Sequence, residues 1–348
     1  MEGTGLVLSG GGGKGIYQVG MLKALAEAGK LDDVVAVSGT SIGCVNAILF
    51  AEGIAEGKSD GSNGIAHAIE QMEQVWNETD YGVFFNIDYK ALKAGDLHFS
   101  RNSTIDLMDE YINYSFFDNS NDMQIMPMYC AVAKCPPEVQ SSEEITNEEL
   151  KLLTNREEAV YKNYELQYLD FMGKDKDYVR NAVLASTALP VIYKPVFMNG
   201  RLYIDGGVRD NVPIKPLYDM GLRKFIVIEL SSRSFAAFDK FPDAEFVSIY
   251  PSRSLGGLFG GTMCFDKEDL AIKKELGYRD GKRYLKTRFE KDEYFISLEP
   301  AMAERDFQDI LKQRQFQKTY DSLNNDISGR FDYINKLEES LDGHFKES

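Results

Sequence analysis

Two apolar runs near the N-terminus each break on glycine and resume with helical spacing, and this repetition restricts the fold more than any other feature of the chain. Leu6-Val7-Leu8-Ser9 enters a run of glycines from Gly10 to Gly13, after which residues 17–28 place Val19, Leu22, Leu25 and Ala26 at helical intervals, with Gly29 where a helix would stop. Val34-Val35-Ala36-Val37 then leads through Gly39-Thr40-Ser41-Ile42-Gly43 into a second helical stretch over residues 44–51. Neighbouring parallel strands need a crossover, usually a helix. Two strand–turn–helix units in series therefore predict an α/β chain. Further strands are expected at 129–133, 202–205, 224–230 and 245–250, with helical patterns between several of them, giving a mainly parallel central sheet flanked by helices in three layers.

The polar stretch 56–64 and the acidic, helix-like segment 141–170 read as insertions on this sheet. Past Asp266 the pattern turns helical and charged through Leu270, Ile272 and Leu276, and again over 301–323, before a polar tail. No internal repeat or linker divides the chain, and 43% hydrophobic with 27% charged residues is the balance of a globular protein with a large core. A formal charge of −16 argues against a nucleic-acid partner and against strong electrostatic attachment to anionic membranes. Any contact with lipid must then be local and apolar. Cys44, Cys130, Cys135 and Cys264 show neither a CxxC pair nor zinc-like spacing, so no disulfide framework, metal site or cofactor is expected. The apolar stretch at Leu6 has no basic flank or cleavage site before it, and no run approaches the ~18 apolar residues of a membrane span. A cytoplasmic protein is expected.

The chemistry concentrates in three segments. Gly39 and Gly43 lie two positions on either side of Ser41, the spacing of a nucleophile elbow, in which a serine on a sharp strand-to-helix turn has a strained backbone and neighbours that must lack side chains. A serine nucleophile needs a base. His67 and His98 precede every strand-end carboxylate downstream, and His344 lies in the polar tail, so the usual order of serine, acid and histidine is poorly supplied. Arg201-Leu202-Tyr203-Ile204-Asp205-Gly206-Gly207 offers another base, because an apolar strand ends there on an aspartate. In an open parallel sheet the carboxyl ends of strands gather on one edge, which would bring Asp205 towards Ser41. Asp-Gly is also a common turn, and an aspartate at its ordinary pKa of about 3.9 is a feeble base, so burial and oxyanion stabilisation would have to assist it.

The glycine run Ser9-Gly10-Gly11-Gly12-Gly13-Lys14-Gly15 can supply that stabilisation by turning backbone N–H groups towards one oxygen, with Lys14 holding the loop or adding positive potential. The spacing of Gly10, Gly12 and Gly15 also satisfies a dinucleotide fingerprint, although Asp32 and Asp33 precede the second strand instead of ending it. A phosphate-binding P-loop fits less well, since Lys14 is followed by glycine instead of serine or threonine.

Together these segments resemble the patatin-like phospholipase family: Gly10 to Gly15 is similar to its oxyanion loop, Gly39 to Gly43 to its nucleophile elbow, and Asp205-Gly206-Gly207 to its aspartate-glycine motif. Ala185-Ser186-Thr187-Ala188-Leu189-Pro190 and Asn211-Val212-Pro213 add to the likeness, which extends over about residues 6–230. The resemblance implies one patatin-like domain over 1–348, with insertions at about 55–125 and 136–180 and a helical extension at about 265–348. It implies a Ser41–Asp205 dyad, an oxyanion hole from Gly11, Gly12 and Gly13, and metal-free hydrolysis of phospholipids or other fatty acyl esters, with transient contact at membrane surfaces. Lys14 departs from the arginine more common in the family and loses its planar fork. An acyltransferase or a non-catalytic lipid binder on the same fold are the alternatives, with a dinucleotide-dependent oxidoreductase further off. Phe84-Phe85, Tyr114-Ser115-Phe116-Phe117 and the glycine-flanked Leu258-Phe259 are candidates for a lid or a membrane-facing rim, with core packing the ordinary role for most of them. Replacing all three histidines together is expected to leave substantial esterase activity, and complete loss in a folded variant would point to a histidine-based triad.

Overall fold

The computed structural model describes residues 1–88, 93, 98–118, 125–137, 139, 160–234 and 236–345. Both N-terminal units form as expected. Strand β1 (Thr4–Leu8) passes through a 3₁₀ turn into α1 (Ile16–Glu27), and β2 (Val34–Thr40) turns at Ser41 into α2 (Ile42–Ser59). Leu6, Val7 and Leu8 are all fully buried, because helices or loops cover both faces of a parallel sheet. The chain continues through α3 (Gly64–Glu78), the short α4 (Tyr81–Phe84) and α5 (Asn102–Tyr111), then β3 (Met128–Lys134), β4 (Glu165–Asp170) and α6 (Lys176–Ser186). A hairpin of β5 (Val196–Met198) and β6 (Arg201–Asp205) precedes α7 (Lys215–Asp219), β7 (Lys224–Ile228), β8 (Glu245–Ile249) and α8 (Lys267–Tyr284).

The sheet runs β5-β6-β3-β2-β1-β7-β8, with β4 also paired to β3. From β3 to β8 the neighbours are parallel, and β4, β6 and β5 add antiparallel pairs at the other side. β4 was expected to be helical, as the end of the acidic segment 141–170; residues 141–159 of that segment lie outside the described residues. β6 forms where a strand was expected at 202–205, whereas its hairpin partner β5 escaped the strand pattern, though the turn between them has a recognisable cause. Asn199 and Gly200 both have positive φ, 53° and 73°, the conformation that an Asn-Gly pair adopts between tightly connected strands.

The pairing register of β3 decides where the site can be. β4 runs along one edge of β3, opposite residues 129 to 134. On the other edge β2 pairs as far as Thr40 opposite Ala131, and β6 takes over with Asp205 opposite Val132. The two strands therefore lie end to end, running towards each other, and their C-terminal tips meet. Asp205 reaches Ser41 from an antiparallel strand, not from the shared edge of a parallel sheet as its position in the sequence suggested.

Val7, Ala36, Phe225 and Val227 pack on one face of the sheet against Val212, Ile214, Leu217 and Leu222. Among the helices, α1 and α8 cross with almost no space between their backbones. A Cβ on Gly20 would lie 2.0 Å from the Lys274 carbonyl oxygen, and one on Gly277 would lie 2.1 Å from that of Tyr17. Buried Asp280 of α8 locks the contact by accepting hydrogen bonds from the Tyr17 hydroxyl at 2.8 Å and from the backbone and hydroxyl of Ser252, and by pairing with Arg283. Residues Met1–Glu299 form one compact unit and Pro300–Ser348 a second. The helix α9 (Glu293–Phe345) supplies the described part of the latter. Among the described residues no helix is long and apolar enough to cross a membrane. Gly20→Ala is expected to destabilise the fold by about 1–3 kcal/mol or more, since backbone atoms must move to admit the methyl group; urea denaturation measures this.

Candidate functional site

Ser41 has φ 55° and ψ −126°, a backbone conformation rare for any residue with a side chain. The turn is tight enough to exclude side chains on both sides of it. A Cβ on Gly39 would lie 2.2 Å from the carbonyl oxygen of Gly43, and one on Gly43 would lie 2.2 Å from that of Leu8. Such strain persists only where surrounding contacts over-determine it. The backbone N–H of Ser41 donates to the Ser186 hydroxyl at 3.0 Å, which donates in turn to the Ala131 carbonyl at 2.8 Å. Ser38 donates to the Pro213 carbonyl at 2.6 Å and Thr40 to that of Asp210 at 3.0 Å. Segments 185–190 and 211–213, singled out in the sequence only by resemblance, thus brace the elbow.

The glycine loop is braced from below by a buried amide network. Gln18 donates to the Ser9 and Ile228 carbonyls, Asn46 to Gln18 and to the Gly15 carbonyl at 2.9 Å, and Trp76 to Asn46 at 2.9 Å. These bonds tie the loop to α2 and α3, so the loop and the serine it faces form one rigid piece. The Asn211 side chain adds a bond of 3.3 Å to the Gly10 carbonyl.

Asp205 is 3% exposed, accepts a hydrogen bond at 2.7 Å from the backbone N–H of Gly207, and lies close enough to the Ser41 hydroxyl for that group to act on its pKa. Burial pushes its pKa up to about 6, against the opposing effects of these two groups and of the nearby Arg101 charge. Serine and aspartate open onto a cavity of about 370 Å³. Gly10, Gly11, Gly12 and Lys14 line it on one side; Gly13 is buried, with Cys264 O only 2.0 Å from where its Cβ would be. Gly15 is also buried, and Gly206 and Gly207 carry the turn that leaves Asp205. Burial lowers the pKa of Lys14, with Lys273 adding to the effect.

Apolar side chains complete the cavity wall. Phe84, Phe85 and Phe265 form a ring cluster, with Phe84 stacked on Phe265 at 4.3 Å, and all three line the cavity with Leu189, Ile192 and Leu258. Tyr114, Phe116 and Phe117 are buried elsewhere as core. Leu258 is 43% exposed and Phe259 80%, which puts an apolar turn at the rim. No histidine lines the cavity among the described residues: His67 pairs with Glu56 at 3.2 Å. Asp32, the candidate for the acidic ribose ligand of a dinucleotide site, lines a different cleft with Lys23 and Glu27.

Arg101 belongs to the site although no motif in the sequence marks it. It lines the cavity, stacks over the Tyr193 ring at 4.3 Å, and donates to the Leu184 carbonyl at 3.0 Å and to the Thr187 hydroxyl. Burial lowers its pKa to about 10, while Tyr193 and Asp205 act the other way.

The family model for patatin-like phospholipases matches residues 6–218. The chain belongs to this family. It is similar to lysophospholipase NTE1 of Cryptococcus neoformans, with 28% identity over 66% of this chain and 11% of that protein. It is similar also to patatin-like phospholipase domain-containing protein 7 of Rattus norvegicus, with 26% identity over 69% of this chain and 14% of that one. The chain thus spans only a small part of these curated relatives. Among solved structures, VipD from Legionella pneumophila aligns with a TM-score of 0.40 and 16% identity, over 83% of this chain and 67% of that one.

Because the native carboxyl of Asp205 titrates near 6 and an unfolded one near 3.8, the native state holds more protons between these values, and stability falls as pH rises through that window. Asp205→Asn removes the penalty. Its stability relative to the unsubstituted protein is expected to be about 1–3 kcal/mol more favourable at pH 7.5 than at pH 4. Glu52, which burial raises to about 7, titrates in both proteins and cancels from this difference. Denaturant unfolding at the two pH values checks the sign.

Proposed function

We propose that this patatin-family chain hydrolyses fatty acyl esters through a Ser41–Asp205 dyad and an acyl-enzyme. What supports the reading is that the strained Ser41 and the buried Asp205, whose pKa burial raises to about 6, line one cavity, with the Ser41 hydroxyl near enough to restrain that rise. At neutral pH that carboxylate is mostly ionised, yet it is a stronger base than an exposed aspartate. Asp205 accepts the hydroxyl proton as Ser41 Oγ bonds to the ester carbonyl carbon. The resulting oxyanion lies beside the N-terminus of α2 and the glycine loop, where the backbone N–H groups of Gly11 and Gly12, which line the cavity, are proposed to stabilise it, with buried Gly13 backing the loop. Collapse of this intermediate expels the alcohol, which takes the proton from Asp205, and leaves an acyl-serine. Water, deprotonated by Asp205, attacks the acyl carbon and releases the fatty acid.

The aromatic wall of Phe84, Phe85 and Phe265 supplies an apolar site for the acyl chain, and exposed Phe259 gives the cavity mouth a local apolar contact with lipid surfaces despite the formal charge of −16. The relatives' names include lysophospholipase, which supports a phospholipid ester as the substrate class.

Ser41→Ala is expected to abolish labelling by a fluorophosphonate probe and hydrolysis of p-nitrophenyl butyrate, and persistent labelling at another serine would sink the assignment. In the unsubstituted protein kcat/KM is expected to fall on the acid side with a midpoint near pH 6, as Asp205 becomes protonated. A profile flat from pH 5 to 7.5 would remove Asp205 as the base.

A further inference from the structure

Arg101 stands where local chemistry gives a guanidinium no advantage. It is the residue preceding α5, a position that favours Ser, Thr, Asp or Asn, and a cation there opposes the helix dipole. Burying a charge is costly unless it is paired. Among the described residues no carboxylate forms an ion pair with it. Its hydrogen bonds go to the Leu184 carbonyl and the Thr187 hydroxyl, and a guanidinium has five N–H groups, so three remain uncommitted, Nε–H among them. Holding the loop around Thr187 would not require a positive charge.

The cavity as a whole has the same bias. Among the described residues that line it, Lys14 and Arg101 are the cations and Asp205 is the one carboxylate. In a chain with a formal charge of −16 the interior of this cavity is net positive. For a neutral ester the one carboxylate, Asp205, offsets only part of the cost of desolvating the two cations.

We propose that Arg101 is a specificity-determining residue that receives an anionic phosphate oxygen of a glycerophospholipid-type ester whose acyl carbonyl lies at Ser41. Lys14 adds positive potential from the glycine-loop side of the same cavity. The planar fork of the guanidinium suits two phosphate oxygens, and such charge-assisted bonds are among the strong ones. A neutral monoacylglycerol fits the same space but leaves the cation desolvated and unpaired, so the site discriminates against it. The proposal rests on the esterase reading of Ser41.

The test compares 1-hexanoylglycerol with 1-hexanoylglycerophosphocholine at pH 8, above the Asp205 titration. The ratio of kcat/KM, phosphorylated over neutral, is expected to fall roughly 10- to 100-fold in Arg101→Gln. It is expected to fall less in Arg101→Lys, which keeps the charge and loses the fork. An unchanged ratio, or equal losses on both esters, overturns the proposal, since a merely structural role would affect both alike. Calorimetric binding of the two compounds to Ser41→Ala, with and without Arg101→Gln, reads the same preference without turnover. If Ser41 is not the nucleophile, this binding preference survives; if Arg101 does not select the headgroup, neither ratio moves. Competition by inorganic phosphate as strong as that by glycerophosphocholine would assign the subsite to a free anion and overturn the headgroup assignment.

Discussion

The left-handed backbone of Ser41 is the constraint on which the rest of the structure depends. A non-glycine residue with φ 55° and ψ −126° carries a local cost of about 1–3 kcal/mol, so the fold must hold it from several sides. It does so with groups distant in sequence: the Ser186 hydroxyl, the Ala131 carbonyl behind it, and the 210–213 turn gripped by Ser38 and Thr40. The amide network of Gln18, Asn46 and Trp76 fixes the glycine loop opposite. Removing flexibility here aligns the serine oxygen before any substrate arrives, which is where preorganised sites gain their advantage.

Electrostatics follows from the same rigidity. The pKa of Asp205 departs from that of an exposed carboxylate because β6 brings it under the elbow, out of water, where burial raises it while the Ser41 and Gly207 donors restrain the rise. A carboxylate, two cations and an aromatic wall then share one cavity. In that low-dielectric space each charge acts more strongly on its neighbours than it would at the surface.

Much of the fold could be read from local patterns. The strand–glycine–helix units at residues 4–27 and 34–59 were visible because apolar spacing and glycine act over a few residues. β6 was legible as a strand, but its partner β5 was not, although Asn199-Gly200 is a strong turn signal, since β5 contributes only 3 residues and shows no alternation long enough to stand out. β4 was hidden in a charged segment: an antiparallel strand with an exposed Glu165 needs little apolar character. Arg101 had a fainter signal, a cation at a helix start, which gains meaning only once the cavity around it is known.

The sequence by itself determined the residue types and the local backbone: a serine between Gly39 and Gly43, an aspartate before Gly206, and a glycine run after the first strand. These depend on sterics within a few residues, so they were legible in order. Only the tertiary structure decided how they meet. β2 and β6 converge end to end along β3, with Thr40 opposite Ala131 and Asp205 opposite Val132, because antiparallel pairing lets a distant strand enter from the far end and stop where the first one stops. Which strands pair, and where one partner gives way to the next along β3, is a property of segments far apart in the chain. The wall of Phe84, Arg101, Tyr193 and Phe265 was likewise assembled from separate segments, as burial joined what the sequence keeps apart.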